Sequence, residues 1–271
     1  MHESPLFEIS LAELYNQYIK TLLTERILTL KKRHTSLWIF LIYAAAQLSG
    51  KPALDLIIPR LIDAGRSEQE AALLAAGWWI FISFGIAVAA TLWLAYSDKM
   101  YFRTPKGPKS SIGITVLLGI AGFFLVLFGQ GLAGVIEKTI GIEAGSQNTA
   151  ALVTVADMAP AAIFAIVFFA PILEEFIFRR IVFGALVDRT NFFVAAAVSS
   201  LAFAAMHMEF THILLYAASG FIFAFLYHRT KRLLTSIIAH MMLNGFVMTV
   251  QLNMDKIEEF IRQMERIANI Q

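Results

Sequence analysis

Seven stretches of the chain are almost continuously apolar, at residues 36 to 49, 73 to 96, 111 to 135, 158 to 187, 192 to 208, 211 to 228 and 233 to 252. Runs of that length and continuity predict helices that cross a bilayer. The first and fifth fall short of the roughly 20 residues a crossing needs. The first is expected to continue through Leu54 to Ile58 as a broken helix, and six crossings fit the pattern as well as seven. Outside these stretches the pattern becomes amphipathic. Phe7, Leu11, Leu14, Tyr15, Tyr18 and Leu22 recur at three- and four-residue steps and lead to Lys31, Lys32 and Arg33. That periodicity predicts a helix lying on the membrane surface or packed on cytosolic loops. The tail from Met254 repeats the pattern with Ile257, Phe260, Ile261, Met264 and Ile267. The expected organisation is an N-terminal amphipathic segment over 1–35, transmembrane helices and loops over 36–157, a helical core over 158–252 and an amphipathic tail over 253–271.

Composition supports a membrane setting. Hydrophobic residues make up 58% of the chain and charged residues 15%, too little polar surface to coat a soluble particle of this size. The expected fold class is therefore all-α: a polytopic integral membrane protein of about seven transmembrane helices with amphipathic helices at both ends. Glu3, Glu8, Glu13, Lys20, Glu25 and Arg26 interrupt the N-terminal segment, which does not resemble a cleavable signal peptide. Cations fall on alternate loops, at Lys31 to Arg33, Lys99 to Lys109, Arg179 to Arg189 and Arg229 to Arg232. By the positive-inside rule these loops and the N-terminus face the cytoplasm, and the plasma membrane is the expected location. The net charge of +2 gives no case for nucleic acid. The absence of Cys excludes disulfides and thiol nucleophiles.

Polar residues inside the apolar stretches point to chemistry, because each charge at bilayer depth costs about 2.5 to 3.5 kcal/mol on insertion scales. Glu174, Glu175 and Arg179 lie in the fourth stretch, His207 in the fifth, and His240 and Asn244 in the seventh. On a helix Glu175 and Arg179 are one turn apart and neutralise each other, whereas Glu174 points about 100° away. Counted from the cytoplasmic ends, Glu174, His207, His240 and Asn244 lie roughly 20, 22, 12 and 18 Å deep. Together they suggest hydrolysis by a general base. Glu174 takes a proton from water, His207 holds and polarises that water, and His240 and Asn244 offer hydrogen bonds to the oxyanion. Phe203 packs one turn before His207, whereas Arg180 is expected to snorkel to the cytoplasmic interface and Glu209, His212 and His228 to be solvated near loop ends. Pro171 lacks an N–H and is expected to kink the helix that carries Glu174 or simply to pack there. The motifs H-E-x-x-H, G-x-S-G and G-x-G-D of other intramembrane hydrolases are all missing.

E-E-x-x-x-R at Glu174, Glu175 and Arg179, F-x-x-x-H at Phe203 and His207, and H-x-x-x-N at His240 and Asn244 resemble the three motifs of the CAAX protease and bacteriocin-processing family. That family, also called CPBP or Abi, includes the Ras-converting CAAX prenyl endopeptidases. The resemblance covers residues 158 to 250. It implies an all-helical integral membrane fold and a glutamate-dependent, metal-independent endopeptidase. The substrate it implies is a membrane-associated protein or peptide, lipidated in the prenyl-processing members. Two alternatives stand beside it. One is a zinc enzyme with Glu174, His207 and His240 as ligands. The other is a non-catalytic scaffold, an immunity protein or a proton-linked transporter, since intramembrane Glu and His also mark proton paths.

Overall fold

The computed structural model describes the backbone of residues 11–103 and 105–268, and their side chains apart from those of 11–16, 21–33, 103 and 268. Of the apolar stripe expected near the N-terminus, Phe7 lies outside the described residues, and Tyr18 is exposed. All regular structure among the described residues is helical. Helix α1 (Leu11–Leu48) runs through the expected boundary at residue 35 without interruption. A break at Ser49 separates it from α2 (Gly50–Asp63), so the first crossing, His34–Asp63, is the expected broken helix. The break is held by side chains. The Ser49 hydroxyl donates to the Ala46 carbonyl at 2.8 Å and accepts from Trp79 Nε1 at 3.1 Å.

Helix α3 (Glu68–Ser97) starts at a capping box, in which Ser67 and Glu70 satisfy each other's free N–H groups. Helix α4 (Ile112–Thr139) follows, and then α5 (Gln147–Met158). A plain connector is expected over 137 to 157, but Ser146 accepts a hydrogen bond from Thr149 N at 3.0 Å and so caps a helix there. Helix α6 (Ala161–Val187) carries both glutamates. Helices α7 (Phe192–Met206), α8 (Ile213–Thr230), α9 (Leu233–Leu252) and α10 (Met254–Ala268) complete the chain. Among the described residues, six helices are long and apolar enough to cross a membrane. The remaining apolar stretch forms α7, whose 15 residues span about 22 Å, less than a hydrocarbon core of about 30 Å.

Helices α8 and α9 pack along α4. The approach is close at Gly122, where a Cβ would lie 2.4 Å from Leu226 Cδ1, as expected where small residues let membrane helices meet. Large side chains that a soluble protein would bury, among them Trp93, Phe128 and Phe193, point outward. The protein is an integral, multi-pass membrane protein whose outward apolar surface faces lipid. On α10, Phe260, Ile261, Met264 and Ile267 are all exposed.

Candidate active site

The site begins with an irregularity in α6. Over Ala165–Phe169 the backbone widens to a π-helix, and Ala170 N bonds the Ala165 carbonyl five residues back. In that ladder the Ile166 carbonyl would be met by residue 171. Residue 171 is proline and has no N–H to give. Asn244 of α9 fills the gap, its Nδ2 donating to Ile166 O at 2.9 Å. A second π segment, Glu175–Phe183, follows after one α-helical stretch, Ala170–Glu174. The Ser199 hydroxyl donates to its Phe178 carbonyl at 2.7 Å. Widened turns of this kind recur at functional sites, where they re-aim side chains without ending the helix.

Glu175 and Arg179 are both fully buried, with Arg179 Nε 3.3 Å from Glu175 Oε2. The two atoms are in ionic contact without the alignment of a hydrogen bond. Arg179 also donates to the Gly220 carbonyl at 3.2 Å and lies over the Phe203 and Phe223 rings, 4.5 and 5.1 Å from their centroids. His240 joins the two glutamates. Its Nδ1 donates to Glu175 Oε1 at 3.0 Å, and its Nε2 stands 3.6 Å from Glu174 Oε2. Both ring nitrogens therefore face carboxylates. His240 lies behind the cavity wall, and the expected pairing of His240 with Asn244 at one substrate oxygen is not the arrangement seen. Glu174 keeps 15% of its side-chain surface exposed.

That surface opens on a cavity of about 270 Å³. Glu174 is the sole carboxylate among its described lining residues, and His207 and Asn244 share the wall. His207 follows the last turn of α7, and its Nδ1 meets the Phe203 carbonyl at 3.0 Å. A carbonyl only accepts, so Nδ1 carries the hydrogen and Nε2 is the free nitrogen. The imidazole is clamped between Tyr216, stacked at 4.0 Å, and the edge of Phe203 at 4.8 Å. Phe203 is more than filler, because its ring touches both histidines and lies beneath Arg179.

The cavity also draws on residues the motifs do not include. Tyr43 and Gln47 come from α1, Trp79 and Ser83 from α3, and Asn148 from α5. The available signal was the four-residue spacing of Tyr43 and Gln47, which places two polar groups on one face of an apolar stretch. Three further expectations need correction. Arg180 was expected to snorkel to the cytoplasmic interface. It is buried instead, because its guanidinium lies 4.1 Å over the Tyr101 ring and donates to the Tyr101 carbonyl. Glu209 and His212 were expected to be simply solvated. His212 is buried, with Nδ1 2.8 Å from Glu137 Oε2. Glu209 accepts from the Ser146 hydroxyl at 2.6 Å, Gln147 N at 2.6 Å and the Tyr216 hydroxyl at 2.9 Å. Burial alone would raise the Glu209 pKa. These hydrogen bonds and the nearby His212 outweigh it and hold the carboxyl below its ordinary range. Among the described residues no group of three His, Asp or Glu side chains is placed to hold a metal ion.

The comparisons with known proteins agree with the motif pattern. The family model for type II CAAX prenyl endopeptidase Rce1-like proteins matches residues 156–246. A putative membrane peptidase, YdiL, of Bacillus subtilis (strain 168) is 44% identical over 217 residues, which is 79% of this chain and 88% of the relative. The membrane-embedded CAAX protease MroQ of Staphylococcus aureus (strain USA300) is 36% identical over 172 residues, 61% of this chain and 69% of the relative. No solved structure matches the chain.

Proposed function

Because the chain belongs to the CAAX protease and bacteriocin-processing family, we propose that it is an intramembrane endopeptidase in which Glu174 activates the water that cleaves a membrane-associated protein or peptide. The observation that carries this reading is the division of labour between adjacent carboxylates. Glu175 is sealed against Arg179 and His240, while Glu174 reaches a cavity beside a second histidine. A carboxylate in such a space takes a proton from water as the oxygen attacks the peptide carbonyl. His207 Nε2 accepts a hydrogen bond from that water and orients it. His240 shares the proton that Glu174 gains until it passes to the leaving amine. Asn244, with one amide hydrogen on Ile166, offers the other to the oxyanion.

No covalent intermediate and no metal enters this scheme. The cations before the first crossing and in the loop after the second, Lys31 to Arg33 and Lys99 to Lys109, support a cytoplasmic N-terminus. The test compares the N-termini of membrane proteins in cells carrying the native protein and a Glu174→Gln variant. The expected result is at least one new N-terminus that appears only with the native protein. Identical profiles from two well-expressed proteins would overturn the reading in favour of a scaffold or immunity role.

A further inference from the structure

An oxyanion forming in an apolar cavity needs more than one donor, and the residues of the three motifs leave few. His240 turns both nitrogens to the glutamates, and Asn244 has a single free amide hydrogen. Trp79 Nε1 is committed to Ser49. Tyr43, contributed by α1 and therefore outside the matched residues 156–246, supplies what is missing. Its side chain is 4% exposed and lines the same cavity as Glu174. Gln47 Nε2 donates to the Tyr43 oxygen at 3.0 Å, so the phenolic hydrogen is turned away from Gln47. The phenol also lies within electrostatic reach of the Glu174 carboxylate.

We propose that Tyr43 is a catalytic residue that donates its phenolic O–H to the carbonyl oxygen of the scissile peptide as that oxygen becomes an oxyanion. This rests on Glu174 being the base. Water oxygen bonds to the carbonyl carbon, the C=O π pair moves to oxygen, and the water proton goes to Glu174. Collapse then breaks the C–N bond, and the amine leaves with that proton. Tyr43 and Asn244 hold the charged oxygen between them and transfer nothing. Gln47 is a positioning residue that fixes the direction of the phenol.

The test uses purified full-length protein and a quenched fluorogenic peptide spanning the Glu174-dependent cleavage site found in cells. Tyr43→Phe removes a single oxygen and is expected to lower kcat by about 10²-fold with little change in KM. Gln47→Met, which leaves the phenol in place, is expected to lower kcat by about tenfold. Tyr43→Phe with unchanged kcat, while Glu174→Gln is inactive, overturns the Tyr43 assignment and leaves the general base standing. A loss confined to Ser83→Ala, whose buried hydroxyl also lines the cavity, gives the role to Ser83. A shifted pH profile with an unchanged plateau rate makes Tyr43 a tuner of Glu174 and likewise overturns the proposal. Cleavage that persists in Glu174→Gln removes both readings. Should Tyr43→Phe lose its fold, the Gln47→Met rate decides by the same criterion.

Discussion

His240 bonds Glu175 with one ring nitrogen and faces Glu174 with the other, at 3.0 and 3.6 Å. One imidazole thus joins a sealed, ion-paired carboxylate to a cavity-facing one. The two carboxylates it joins are expected to fail in different ways when they are replaced.

Glu174→Gln keeps the size of the side chain but cannot take a proton. Proteolysis is expected to vanish while membrane insertion and melting temperature in detergent stay near native. Retained turnover by a well-folded variant would remove Glu174 from the chemistry.

Glu175→Gln leaves the Arg179 guanidinium buried without its carboxylate. Breaking a buried pair by removing one partner costs about 3 to 5 kcal/mol. Its fall in melting temperature should therefore far exceed that of Glu174→Gln. Equal shifts would show that the two carboxylates are not divided as described.

Asn244→Ala is expected to act twice. It orphans the Ile166 carbonyl, at about 1 to 3 kcal/mol, and it removes an oxyanion donor, at about 10² to 10³-fold in kcat. A second change, Pro171→Ala, returns an N–H to α6 and separates the two effects. The double variant should regain stability and remain slow. Recovery of kcat as well would make Asn244 a purely structural residue.

Chelation provides an independent test. Activity is expected to withstand EDTA and phenanthroline, since a base and hydrogen-bond donors suffice. Loss of activity that zinc restores would move Glu174, His207 and His240 to a ligand role.

Glu209 makes stability depend on pH. Its folded pKa lies below the unfolded value, so its contribution is present above about pH 4.3 and is lost as pH falls through the lower folded value. Glu209→Gln should lower the melting temperature at neutral pH and reduce its decline in acid. Parallel melting curves for the two proteins across pH 3 to 7 would contradict this.

The residues that stand out in the sequence are those whose polarity is costly at their depth. Glu174, Glu175, Arg179, His207, His240 and Asn244 sit among long runs of Leu, Ile, Phe and Ala, and the crossings were readable for the same reason. The π segments were not, because i→i+4 and i→i+5 ladders draw on the same apolar residues and differ only in which amide meets which carbonyl. Pro171 was the visible clue, and it implied a kink without indicating that Asn244 would complete the ladder. Arg180 misled because a cation at the end of a crossing usually reaches for water. The ring that covers it, Tyr101, comes from a loop whose path no periodicity describes. Tyr43 was overlooked because a single phenol is ordinary in a lipid-facing helix.

The placement of Glu174 bears on what can be cut. In an α-helix each peptide carbonyl is bonded to the amide four residues on and is screened by side chains that widen the cylinder to about 10 to 12 Å, whereas Glu174 stands in a cavity wall with 15% of its side-chain surface exposed. A substrate segment that stays wound in the bilayer therefore keeps its peptide bonds away from Glu174. Only an unwound stretch presents its carbonyl carbon, and unwinding in lipid strips backbone groups of partners that cannot be replaced by water. Under the proposed activity, then, the local fraying of the substrate helix is itself a criterion of selection. Helix-breaking residues near the scissile bond should matter as much as the side chains that flank it.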